Sequence, residues 1–105
     1  GPFDLIVLDP PAFTKSRGTV SHAARGYREI NFEALRLLPR GGYLATCSCS
    51  HFMTRDLLAK AIAEAAHQAN VQLKQVEERQ QAPDHPILWG FPESHYLDFF
   101  VFQVV

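Results

Sequence analysis

Four consecutive apolar residues, Leu5-Ile6-Val7-Leu8, run straight into Asp9-Pro10-Pro11. Extended back to Phe3, the segment reads as a β-strand, and its near-continuous apolar character suits a parallel sheet whose strands are covered on both faces. The two prolines end the ladder, because neither has a backbone N–H to donate. The chain enters this strand with no lead-in. A central strand at a chain start leaves one edge unpaired, so the expectation is a fragment whose N-terminal partner lies elsewhere.

The remaining segments alternate in kind. Thr14 to Ser21 is polar, carries Lys15, Arg17 and Gly18, and reads as a mobile loop. From about Ala23 to Leu38 the positions Tyr27, Ile30, Ala34, Leu37 and Leu38 recur at helical spacing, and Pro39-Arg40-Gly41-Gly42 supplies strong breakers. Tyr43 to Ser48 reads as a second strand. Thr54 suits the N-cap of a second helix that carries Leu57, Leu58, Ala61, Ile62, Ala65, Ala66 and Ala69 on one broad face, and Asn70 suits its C-cap. Val71 to Glu78 reads as a third strand, Gln80 to Ser94 as an ordered loop rich in Pro, Gly and His, and Tyr96 to Val105 as an aromatic-rich last strand. The order β-α-β-α-β-loop-β points to an α/β sheet with helical crossovers. Its last strand, joined by a non-helical connection, is expected to be antiparallel.

Composition bounds the partners. With 105 residues and 47% apolar content the chain is about one small domain with a packed core. Its net charge of −1 gives no global polyelectrolyte character, so a nucleic-acid partner needs a local basic patch or a part of the protein outside this chain. There is no 18-residue apolar run to span a membrane, and no signal-peptide pattern. In a strand, Cys47 and Cys49 would have Cα atoms ~6.6–6.8 Å apart, the outer limit for an unstrained disulfide. A reducing, cytoplasmic setting is the expectation.

Asp9-Pro10-Pro11-Ala12-Phe13 falls at a strand's carboxyl end, where open α/β sheets bind ligands. Two prolines stiffen the loop and fix the Asp9 carboxylate and the proline carbonyls as acceptors. Such acceptors suit a planar base with N–H groups, on which Phe13 can stack. The blander reading makes Asp9 a turn cap and Phe13 core. The segment resembles motif IV of class I SAM-dependent methyltransferases, in the Asp-Pro-Pro-x-Phe form found in ribosomal RNA enzymes.

Thr46-Cys47-Ser48-Cys49-Ser50-His51 ends the second strand, and it admits three readings. Both cysteines can be small core residues; Cys47, Cys49 and His51 can ligate a metal from one face; or one cysteine is a nucleophile. Three ligands crowded onto one short segment make a poor metal site, and no metal is expected. Cys47 lies deeper and suits the core. Cys49 lies further out, close to the N-terminus of the second helix, where a thiolate is stabilised. The run Leu44-Ala45-Thr46-Cys47-Ser48-Cys49-Ser50 resembles motif VI of RNA 5-methylcytosine methyltransferases, whose catalytic cysteine falls on Cys49.

From Phe3 to the C-terminus, including Gln81-Ala82-Pro83-Asp84-His85-Pro86 and Phe91-Pro92-Glu93, the chain resembles the bacterial large-subunit ribosomal RNA cytosine-C5 methyltransferases of the RlmI type. The resemblance implies the C-terminal half of a Rossmann-like SAM-dependent methyltransferase fold, β-α-β-α-β-β with an antiparallel last strand. It also implies an upstream cofactor-binding half and a PUA-type domain. The implied catalytic residues are Cys49 and Asp9. Substrate contacts fall to Pro10, Pro11, Phe13, Lys15, Arg17 and His85, and Asp9 and Pro10 also contact S-adenosyl-L-methionine. In the enzymes with a Pro-Cys motif IV a second cysteine assists product release; Ala12 stands there, so the base that takes the C5 proton is unassigned.

Lys15, Arg17, Arg25 and Arg28 can hold phosphates of a 23S-type ribosomal RNA, although for Arg25 and Arg28 an ordinary solvated helix face is an equal reading. His85 is a secondary candidate, since a histidine in a proline-rich loop more often orders the loop. Gly41-Gly42 follows a helix rather than a strand, so it is not a cofactor turn, and the chain alone is expected to bind S-adenosyl-L-methionine weakly or not at all. The open strand edge makes a homodimer an expectation. Two other functions fit: methylation of a guanine or amine nitrogen without covalent catalysis, and a non-catalytic interaction module.

Overall fold

The computed structural model describes residues 4–9, 20–49, 54–80 and 97–105. The elements are β1 (Leu5–Leu8), α1 (Val20–Leu37), β2 (Tyr43–Cys49), α2 (Arg55–Ala69), β3 (Leu73–Gln80) and β4 (Leu97–Val104). The four strands form one sheet in the order β1-β2-β4-β3. β1 and β2 are parallel, with Leu5 opposite Tyr43 and Leu8 opposite Thr46. β4 is antiparallel to both β2 and β3, as expected of the last strand, and it lies between them. Helix α1 begins at Val20, ahead of Ala23, and β3 is displaced from residues 71–78 to Leu73–Gln80.

Helix α2 ends where its caps dictate. Thr54 is extended (φ −69°, ψ 161°) and its Oγ1 accepts from the Leu57 N–H at 3.2 Å. Asn70 is left-handed (φ 57°, ψ 45°), the Asn70 N–H reaches the Ala66 and His67 carbonyls, and the Val71 N–H bonds Ala66 O at 3.0 Å. Asp56 in the first turn and His67 in the last complement the helix dipole. Beyond α1, the turn places Gly41 at φ 91°, a conformation that favours glycine, and ties back to β4 through Gly41 N to Val104 O at 2.7 Å.

Both helices pack on the same face of the sheet. One core cluster joins Ala23 and Tyr27 of α1, Leu58, Ala61 and Ile62 of α2, and Phe100 and Phe102 of β4. The other joins Ala34, Leu35 and Leu38 to Leu44, Ala65, Ala66 and Val104, with Ile6 and Leu8 packed against it. Each fully buried large apolar side chain here contributes about 1.5–3 kcal/mol.

Within this chain, the described helices cover one face of β1. Leu5 and Val7 are 58% and 62% exposed, whereas alternate residues Ile6 and Leu8 meet the core. The α1 stripe differs from its periodicity. Leu37 is 57% exposed, and Leu35 and the polar Asn31 are buried in its stead. Asn31 Nδ2 donates to the Tyr27 carbonyl at 2.7 Å, while its Oδ1 is buried with no hydrogen-bond partner among the described residues. No helix among the described residues is long and apolar enough to cross a membrane.

Candidate active site at the carboxyl ends of β1 and β2

The parallel register sets Leu8 against Thr46, so the residues that follow, Asp9 and Cys47, are neighbours across the strand pair. The Cys47 thiol donates to Asp9 Oδ1 at 3.3 Å and approaches the Leu8 carbonyl at 3.6 Å. Cys47 is a free, buried thiol and Asp9 is exposed. The thiol therefore holds one oxygen of a carboxylate that is open to a ligand. Sequence reasoning assigned Cys47 to the core, and burial bears that out; its contact with Asp9 was missed, because a small buried thiol carries no sign of its partner.

Cys49 occupies the last position of β2, one pleat repeat beyond Cys47, with its backbone registered against Leu97. Its side chain lies outside the described atoms. Pro10, Pro11, Phe13, Lys15, Arg17, Ser50, His51 and His85 lie outside the described residues, so the site is defined here by Asp9, Cys47 and the Cys49 backbone.

On the helix-covered face, Ser48 Oγ donates to Tyr27 Oη at 3.0 Å, both fully buried. This bond pins the outer end of β2 to α1 and so fixes the strand that delivers both cysteines. Deeper on the same strand face, Thr46 is also buried, as is Asp98 on β4.

The start of α2 is anchored to β3, the strand at the end of the sheet order opposite β1. Arg55 Nε and Nη2 donate to Glu78 Oε2 and Oε1 at 2.8 and 2.9 Å, and the guanidinium lies 5.5 Å from the Phe100 ring centroid. The Arg55 hydrogen bond lowers the Glu78 pKa below the usual glutamate range, and the bonds from Glu78 and Asp56 raise that of Arg55. A register shift between Gln75 and Glu77 makes this pair possible. The inserted residue, Val76, is 53% exposed, and beyond it Glu78 rather than Glu77 pairs with the core residue Phe100.

No family model matches the chain. Ribosomal RNA large subunit methyltransferase I from Shigella dysenteriae serotype 1 is 45% identical over 103 residues, covering 98% of this chain and 26% of that protein. Over nearly its whole length, the chain is homologous to this methyltransferase. Its counterparts from Escherichia coli O1:K1 / APEC and Cronobacter sakazakii, at 45% and 44% identity, show the same coverage. The chain thus spans about a quarter of the curated relatives it matches.

Two solved structures share the fold. The proposed methyltransferase SMU.776 in complex with SAH superposes with a TM-score of 0.79 at 21% identity, over 96% of this chain and 26% of that one. A proposed SAM-dependent methyltransferase from Streptococcus mutans gives 0.78 at 22% identity, over 96% and 25%. The mixed sheet therefore matches part of a SAM-dependent methyltransferase fold.

Proposed function

We propose that the chain is the base-binding and nucleophile portion of an enzyme that methylates cytosine C5 in large-subunit ribosomal RNA. The observation that carries the reading is the meeting of Asp9 with the cysteine-bearing end of β2, through the 3.3 Å contact to Cys47. Homology to ribosomal RNA large subunit methyltransferase I supports the RNA substrate.

The chemistry follows from what each group can do. Cytosine C5 is a weak nucleophile. Addition of the Cys49 thiolate to C6 forms an S–C6 bond and moves the C5–C6 π pair onto C5. Asp9 enters as the carboxylic acid and gives its proton to N3 as the thiolate adds, so that the negative charge brought by the thiolate is neutralised; the proton returns to Asp9 when the thiolate leaves. S-adenosyl-L-methionine supplies the electrophilic methyl group when bound. Loss of the C5 proton to a base then lets the S–C6 bond break, and its electron pair returns to the thiolate. The target base must be single-stranded or flipped out to reach Asp9.

The cofactor does not fit this chain alone. Of its expected contacts only Asp9 and Pro10 belong to the chain, and the Gly41 turn follows α1 rather than a strand. On this reading the cofactor half and a PUA-type domain belong to the rest of the protein, which works in the cytoplasm. Calorimetry on the 105-residue chain should show weak or no S-adenosyl-L-methionine binding; tight binding would contradict this division.

The decisive test is mass mapping of 23S ribosomal RNA from cells with and without the gene, complemented by full-length Cys49→Ala. Loss of one methylcytosine, unrestored by the variant, is expected. Methylation at the normal rate by Cys49→Ala would rule out the covalent route and favour a nitrogen target.

A further inference from the structure

Helices α1 and α2 enclose a surface groove of about 480 Å³. Its α1 wall carries His22, Arg25 and Arg28, and its α2 wall carries Lys60 and Glu64, above a floor that includes Ala61. One cation is already neutralised, since Arg28 Nη1 meets Glu64 Oε2 at 3.0 Å. Arg25 and Lys60 are exposed, and neither forms an ion pair among the described residues. The groove thus carries a positive excess on a chain whose net charge is −1, so the excess is local. Its position is equally specific. The lining residues come from the first part of α1 and the first part of α2, the elements that follow β1 and β2. Both therefore start at the end of the sheet where Asp9 and Cys49 lie.

We infer that this α1–α2 groove binds the phosphodiester backbone of the RNA, with Arg25 and Lys60 each contacting a phosphate. The inference rests on the functional reading above and extends it to a surface outside the reaction site. A floor of small and apolar side chains with cations on opposite walls can seat a backbone without reading bases, so the contribution is to affinity and not to sequence choice. Arg28, held by Glu64, shapes the wall instead of serving as a mobile contact.

The test measures binding of the full-length protein to deproteinised 23S ribosomal RNA across a salt series. Each phosphate contact contributes about 0.7–0.9 to the slope of log affinity against log salt. Arg25→Gln/Lys60→Gln should reduce that slope by about 1.4–1.8. Arg40→Gln/Lys74→Gln removes the same charge from exposed positions at the opposite end of the sheet, and should leave the slope unchanged. The groove variant should also reach the wild-type kcat at saturating RNA with a raised KM. Equal slopes for groove variant and wild type, or equal losses in both variants, would overturn the inference. So would displacement of the RNA by poly-glutamate that depends on Arg25 and Lys60, which would assign the groove to an acidic polypeptide. A groove-dependent slope in a wild-type protein that transfers no methyl group would sink the functional reading and leave the groove standing.

Discussion

The Cys47 thiol and the Asp9 carboxylate, 3.3 Å apart, join the two motifs of the site across neighbouring strands. The thiol acts as a positioning donor: it holds Oδ1 and leaves the exposed carboxylate aimed by its partner strand. Loss of one such hydrogen bond is worth about 0.5–1.5 kcal/mol, so Cys47→Ala in the full-length enzyme should slow methyl transfer by roughly 2- to 13-fold. Cys47→Ser, which keeps a donor, should recover most of the rate. Single-turnover rates check this; loss as complete as that of Cys49→Ala would mean that Cys47 itself enters the chemistry.

The Arg55–Glu78 fork should give the fold an acid-sensitive component. The folded-state pKa of Glu78 is depressed, so the stabilisation is present above the unfolded glutamate value of about 4.3 and fades as pH falls through the lower folded value. With the side chains 42% and 27% exposed, solvent screening limits the effect to about 1 kcal/mol or less. Denaturant unfolding of wild type and Glu78→Gln should differ near neutrality and converge as the pH falls through the depressed folded-state value. A difference that stays constant as the pH is lowered would point to packing rather than charge.

Tyr27→Phe should destabilise the fold by about 1–3 kcal/mol, because the buried Ser48 hydroxyl loses its acceptor. Urea midpoints would measure it. Tyr27→Phe/Ser48→Ala removes both members of the pair and should recover part of the loss. Additive losses would show that the hydroxyls act independently.

Strand β1 pairs only with β2 among the described residues, and Leu5 and Val7 are exposed on it. As an isolated chain, the protein should self-associate through this edge. Sedimentation should show dimers or larger species, and Val7→Lys should shift them toward monomer. A monodisperse wild-type monomer would contradict the proposal.

Much of the fold was legible because its signals are local. Thr54 and Asn70 cap α2 as their side chains require, and the broad apolar face of α2 is buried at Leu58, Ala61, Ile62, Ala65 and Ala66. The α1 stripe was read less well: periodicity counts apolar residues, and Asn31 is buried through a bond to its own helix. The Val76 insertion was likewise hidden, since only pairing with β4 shows that a residue is extra. At the site, both motifs were recognisable as strand-end segments, but the thiol–carboxylate contact depends on register. Lys60 gave no signal, as a lone lysine on an amphipathic helix is ordinary until α1 lies beside it.

The placement of β4 governs how the chain can assemble. Residues 43–49 find their second neighbour only in residues 97–103. During synthesis β2 must therefore wait, one edge bare, while α2 and β3 emerge, and β3 has no sheet to join until β4 arrives between them. Pairings so distant along the chain slow folding and lengthen exposure of unpaired edges. A chain truncated ahead of Leu97 would keep every proposed catalytic residue and still leave the nucleophile's strand without its β4 partner, a substrate for chaperones and proteases rather than a smaller enzyme.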